Sequence, residues 1–158
     1  MIPKEDLQKI IIMETLTDNM LEKIAPAIQL VQVGDQETIF EEGKKADRFY
    51  MLKSGKILLE KQISSNVTVS LGAIKPGYSF GWSAIFGEPY SSLAVSAEES
   101  EIFTIEADTI VSVLESDHSM GFLVMGSLTR MMKNRMTRIE ERFLRAIREH
   151  PDIDSLLS

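Results

Sequence analysis

Gly77-Tyr78-Ser79-Phe80-Gly81-Trp82-Ser83-Ala84-Ile85-Phe86-Gly87-Glu88-Pro89-Tyr90-Ser91-Ser92-Leu93-Ala94-Val95-Ser96 reads as a turn, a short helix, a second turn and a strand. Gly81 stands just before the helix, Trp82 to Phe86, and Pro89 breaks it. A helix start presents unpaired N–H groups and the positive end of the helix dipole to an anion. A glycine there lets a ligand approach the backbone closely. The hydroxyls of Ser91 and Ser92 then enter the next strand. By local chemistry alone the stretch is either a small anion-binding cradle or a crossover that binds nothing.

On either side of it the pattern is that of short strands. Upstream, Leu30 to Val33, Glu37 to Glu41, Phe49 to Lys53 and Lys56 to Ile63 are separated by Gly34-Asp35, Glu42-Gly43 and Ser54-Gly55. Val67, Val69 and Leu71 alternate with Thr68, Ser70 and Gly72, the period-two signature of a half-buried strand. Downstream come Ser92 to Glu98 and Glu101 to Glu106. About eight such pieces punctuated by glycine point to a β-sandwich or barrel.

Helical periodicity flanks the strands. Lys4 to Met13 is a short helix candidate carrying Leu7, Ile10 and Ile11 on one face. Thr17 is placed to cap Asp18 to Ile24, with Pro26 disturbing or ending that helix. After Glu106, Ile110, Val113 and Leu114 share the face of another short helix. Asp117 can cap a long final helix reaching to about Glu149. Along it Met125, Leu128, Met132, Met136, Ile139, Phe143 and Ala146 form a near-heptad stripe, which favours a helix-to-helix dimer seam. Pro151 ends this helix and Asp152 to Ser158 is read as a short tail.

Composition narrows the function classes. The chain has 158 residues, enough for one domain with its own core. It has no cysteine, which removes disulfides, thiolate metal sites and thiol nucleophiles. No apolar run approaches membrane-spanning length and no signal core is visible, so the cytoplasm is the default compartment. The formal net charge of −7 is uneven. Leu128 to His150 holds seven Lys/Arg against three Asp/Glu, a net of +4, so the remainder carries −11. An acidic body argues against general nucleic-acid binding. The basic helix is either a solvated face or one that meets an anion or an acidic partner. His118 and His150 flank the long helix and make no case for a metal or haem ligand. The carboxylates at turns (Glu41, Glu42, Glu98, Glu99, Glu101) do not form an acid/base pair by spacing.

The order of elements and glycines resembles the cyclic-nucleotide-binding domain of catabolite-activator-type regulators, kinase regulatory subunits and nucleotide-gated channels. The residues that carry the resemblance are Ile39-Phe40-Glu41-Glu42-Gly43, Ala46-Asp47-Arg48-Phe49-Tyr50-Met51-Leu52-Lys53-Ser54-Gly55, Leu71-Gly72, Pro76-Gly77 and Phe80-Gly81. It spans roughly residues 15 to 149. It implies one mainly β domain with flanking helices over residues 1–158: N-terminal helices at 1–29, a jelly-roll β-sandwich at 30–106 and C-terminal helices at 107–150. It also implies that residues 77–96 are the family's phosphate-binding cassette. In that cassette a Glu after the Gly takes the ribose hydroxyl and an Arg neutralises the cyclic phosphate. Here Trp82 and Tyr90 occupy those two positions, while Ser91 keeps the neighbouring hydroxyl.

The resemblance therefore implies a non-enzymatic regulatory module, a sensor that binds a cyclic nucleotide or other anion in the β-roll and signals through a helical homodimer to a downstream protein. The residues expected at the ligand are Phe80, Gly81, Trp82, Ser83, Tyr90, Ser91 and Ser92. Arg130, Asn134 and Thr137 of the long helix are expected at a lid, with Arg130 supplying the charge that the cassette lacks. No certain cofactor and no metal is expected. Direct DNA binding is not expected, because the reader domain of the family's regulators would follow the long helix. The other reading is a ligand-free dimeric adaptor whose pocket Trp82 plugs.

Overall fold

The computed structural model describes residues 1–157, apart from the side chains of Asp154 and Leu157. It divides into two units, residues 1–124 and residues 125 onward.

The first unit opens with helix α1 (Lys4–Leu7) and a separate 3-10 turn at Ile11–Met13. The single helix expected over Lys4 to Met13 is thus broken. Leu7, Ile10, Ile12 and Met13 are all buried, and that spacing cannot lie on one face of a regular helix. Ile10 is extended, and the Ile11 N–H donates to the Gly77 carbonyl at 2.9 Å, which pins this segment to the turn before the cassette. Helix α2 (Asp18–Ile24) follows with Thr17 as its cap, accepting from the Met20 N–H at 3.3 Å. Pro26 falls in a closing 3-10 turn, Ala25–Ala27.

Eight strands then build two antiparallel sheets among the described residues. They are β1 (Gln29–Val33), β2 (Thr38–Phe40), β3 (Arg48–Ser54), β4 (Ile57–Ser64), β5 (Val67–Ile74), β6 (Ser79–Phe80), β7 (Leu93–Ser96) and β8 (Ser100–Glu106). One sheet has the order β1-β8-β3-β6 and the other β2-β7-β4-β5. This is the jelly-roll sandwich that the resemblance implies. In β8, Ile102, Phe103, Thr104 and Ile105 are all buried, so the first sheet is covered on both faces at that strand, while the edge strand β1 is exposed. In β4 only Ile57 and Leu59 are buried, which leaves one face of the second sheet open. Strand β6 escapes a sequence reading because two residues carry no period. Its register, Tyr50 opposite Phe80, nevertheless fixes where the cassette begins.

Helix α3 (Ser83–Phe86) lies in the cassette, and α4 (Ala107–Ser116) leads to α5 (His118–Arg148). Asp117 caps α5 as expected, one carboxylate oxygen accepting from the Met120 N–H at 3.0 Å. The other oxygen takes Lys23 Nζ at 2.7 Å. These contacts, Lys23 first, hold the Asp117 carboxyl below the usual carboxylate range. The α4–α5 corner is tight, since a Cβ on Gly121 would stand 2.8 Å from the Leu114 carbonyl oxygen.

The second unit carries α5 from Met125 onward and α6 (Pro151–Leu157). The sequence reading of a short tail after Pro151 is corrected here. Proline is tolerated in the first helical position, where its missing N–H is not needed. His150 Nδ1 also accepts from the Asp152 N–H at 3.3 Å. On α5, Met132, Met136, Ile139, Phe143 and Leu144 are exposed.

The two glycines of α5 have opposite surroundings, which sets a test. Gly121→Ala should lower stability by about 1–3 kcal/mol, because a backbone atom must move to admit the methyl group. Gly126, whose added Cβ would meet nothing within 4 Å, should gain up to about 1 kcal/mol as Ala. Urea denaturation of the two variants should move the midpoint in opposite directions.

Candidate functional site

The cassette is built on a single point of close packing. Gly81 has a φ of 70°, and a Cβ there would lie 2.9 Å from Tyr50 Cδ2 and 3.4 Å from Phe40 Cε1. Only a residue without a side chain lets the chain turn from β6 into α3 against those rings. Gly87, also left-handed, closes α3 after one turn. Within that turn the Ala84 N–H donates to the Gly81 carbonyl at 3.2 Å and the Ile85 N–H to the Trp82 carbonyl at 3.0 Å. Those two donors are therefore engaged inside the segment rather than turned to an anion.

Tyr90 is 3% exposed and points into the roll. Its ring stacks on Phe40 with centroids 3.9 Å apart and planes 10° apart. Phe40, Tyr50 and Phe80 complete the cluster, with Tyr50 and Phe80 5.2 Å apart and stacked. The Tyr90 hydroxyl donates to the Arg48 carbonyl at 2.7 Å and accepts from the Arg48 N–H at 3.2 Å. Its backbone is held as well: Tyr90 N–H donates to the Lys44 carbonyl at 2.9 Å, and its carbonyl accepts from the Gly43 N–H at 2.8 Å. Burial raises the Tyr90 hydroxyl pKa far above the usual phenol range, and the neighbouring Tyr50 adds to this. Burial also raises that of Tyr50, against a lowering contribution from its hydrogen bond with Tyr90.

The other expected site residues fall into three groups. Phe80 and Ser92 are buried, Phe80 within the ring cluster. Trp82 and Ser83 are half-buried at the start of α3, and Ser91 is exposed. Trp82 Nε1 donates to Ser79 Oγ at 3.0 Å, so the indole folds back along its own segment. The residue that fills the roll is Tyr90, not Trp82. Arg130, Asn134 and Thr137 are exposed on α5 in the second unit. Phe40, Tyr50 and Arg48 were named by no site expectation. Nothing in their spacing shows that β2 and β3 bring them to Tyr90.

Two hollows border this core. One, about 530 Å³, opens at the surface by Lys45, Arg48, Glu88, Glu106 and Asp108, with Asp47 beside them. Its carboxylates outnumber its cations, so it is unsuited to a phosphate. The other, about 380 Å³, lies between the sheets and is lined chiefly by β1, β2, β3 and β8. Among the described residues no group of three metal-ligating side chains is present, and no helix is long and apolar enough to cross a membrane.

Tyr90→Phe removes both bonds to Arg48 and leaves the ring in place. It should cost about 1–3 kcal/mol in chemical denaturation. Because the raised phenol pKa values belong to the folded state, the unfolded chain binds fewer protons than the fold above about pH 10. Stability should be complete below that pH and fall as pH rises beyond it, with tyrosinate absorbance from Tyr50 and Tyr90 appearing together with unfolding.

A model of the cyclic nucleotide-binding domain matches residues 30–117. Among solved structures, a protein of Geobacter metallireducens GS-15 assigned to the cyclic nucleotide-binding proteins is 25% identical, with a TM-score of 0.75 over 86% of this chain and 99% of that one. A cyclic nucleotide-binding domain from Methylobacillus flagellatus KT has a TM-score of 0.77 at 17% identity, covering 90% of this chain and 80% of that one. The sensor domain of the transcriptional regulator DNR from Pseudomonas aeruginosa has a TM-score of 0.70 at 18% identity, over 85% and 91% of the two chains. A comparison with curated protein sequences finds no match. With the matched model spanning more than half of the sequence, and the sandwich, the cassette and the long helix in its order, this chain belongs to the cyclic nucleotide-binding domain family.

Proposed function

We propose that this domain is a regulatory sensor that signals by pairing its C-terminal helix, and that its cassette does not take a cyclic nucleotide. The observation that carries this reading is the Tyr90 ring stacked on Phe40 with its hydroxyl bonded to Arg48. A cyclic phosphate seated by the cassette would lack a charge-assisted contact worth about 1.5–3 kcal/mol. It would also have to displace a core ring, whose removal costs about 3–5 kcal/mol. Together these terms move a micromolar ligand beyond the millimolar range. In this reading no lid charge from Arg130 and no polar contact from Asn134 is required.

Signalling rests on the second unit. Met132, Met136, Ile139 and Phe143 present exposed apolar side chains at spacings of four, three and four along α5. A second copy of the same helix offers a matching stripe, which supports a homodimer. The alternative, a ligand-free adaptor, shares this surface and differs only in having no small-molecule input.

Calorimetry with cyclic AMP and cyclic GMP at about 1 mM should show no saturable heat. The double variant Trp82→Glu with Tyr90→Arg should acquire binding, and Tyr90→Ala serves as the fold control. Micromolar affinity in the unaltered protein would overturn the exclusion. Light scattering should give twice the chain mass, and Met136→Glu should yield a monomer, since a charge in an apolar seam is costly.

A further inference from the structure

The apolar stripe of α5 is edged by charges whose placement selects a partner. Within the second unit the stripe begins at Met125 and Thr129, then runs through Met132, Met136, Ile139, Phe143 and Ala146 at alternating intervals of four and three. Thr129 is compatible with such a seam, because its hydroxyl already donates to the Met125 carbonyl at 2.7 Å. In heptad terms Thr129, Met136 and Phe143 take the a position, and Met125, Met132, Ile139 and Ala146 take the d position. Arg135 and Arg142 each precede an a residue and form one edge of the seam. Lys133, Glu140 and Ile147 each follow a d residue and form the other.

Orientation decides which edges meet. In two parallel helices in register, the residue before an a position faces the residue five places further on in the other helix. Arg135 then faces Glu140 of the partner subunit, twice by symmetry, and Arg142 faces the uncharged Ile147 of the partner subunit. No like charges are opposed. In antiparallel helices each edge meets its own counterpart. With the stripes fully overlapped, Arg135 faces Arg142 twice, which offsets Lys133 against Glu140. A shift of one heptad sets Arg142 against Arg142 and Glu140 against Glu140, or Arg135 against Arg135 and Lys133 against Lys133. Arg135 is also half-buried, while Glu140 is exposed. Burial, with Arg138 one turn along, disfavours the charged guanidinium of Arg135, so a carboxylate brought to it is favourable.

We infer that α5 recognises a second copy of itself through an ion pair between Arg135 and Glu140 of the partner subunit, a pair that only parallel helices in register bring together. The inference rests on the reading of α5 as a homodimer seam and names what makes that seam self-selective.

The test is charge reversal in the full chain, read by sedimentation equilibrium. Arg135→Glu and Glu140→Arg should each weaken the dimer about tenfold, because two attractive contacts become repulsive. Both changes in one chain should restore the unaltered affinity. An equimolar mixture of the two single variants should pair with each other rather than with themselves. The absence of cysteine from the chain allows a second readout: Met136→Cys should form a disulfide-linked dimer with itself on oxidation. If Arg135→Glu tightens the dimer by facing Arg142, or Met136→Cys links only to Ile139→Cys, the helices are antiparallel and the inference is overturned. A dimer whose affinity ignores both reversals overturns it as well. In those outcomes the homodimer stands, whereas a monomeric unaltered protein overturns helix pairing and this inference with it, so the two failures are distinguishable.

Discussion

One ring decides what this domain can be. Tyr90 stacks on Phe40, and its hydroxyl spans the N–H and the carbonyl of Arg48. Through that ring β2, β3, β6 and the loop before β7 share one cluster. Gly81 has no side chain because the same cluster leaves no space for one. Even the backbone of the loop at Gly43 and Lys44 is tied to the residue that carries the ring. Where other members of the fold are expected to hold a ligand's charge, this chain holds a side chain of its own.

This changes what the word sensor means here. An internal aromatic group is attached to the chain, so its effective concentration does not vary with any metabolite. With that ring buried and bonded to β3, the segment that carries it is part of the scaffold of the roll.

The fold was largely legible in the residues. The strand read at Val67 to Leu71, the glycine-marked turns and the caps at Thr17 and Asp117 stand where the sequence puts them, because each is a local effect, although Val67 and Val69 are exposed rather than on a buried face. The failures have separate causes. The helix expected over Lys4 to Met13 is broken by a long-range bond to Gly77, and β6 is too short to have a pattern. The long helix does end before Pro151, but the residues read as a tail form α6, with Pro151 in its first turn, where its missing N–H is not needed. At the site, the sequence identified Tyr90 and Trp82 as departures from the family's charged pair. It could not tell which one turns inward. That depends on Phe40, Tyr50 and Phe80 arriving from three strands, a fact of topology with no local trace.

Asp117 has a consequence for the order in which the fold loosens. One of its carboxylate oxygens closes the first turn of α5 and the other holds Lys23 on α2, more than ninety positions earlier. Freeing either group disturbs the anchor of the other. Hydrogen exchange follows such shared anchors, because amides protected by one cooperative unit open with one free energy. Exchange at the amides of α2 and of the first turn of α5 should therefore be coupled through this one carboxylate, so that its loss loosens both.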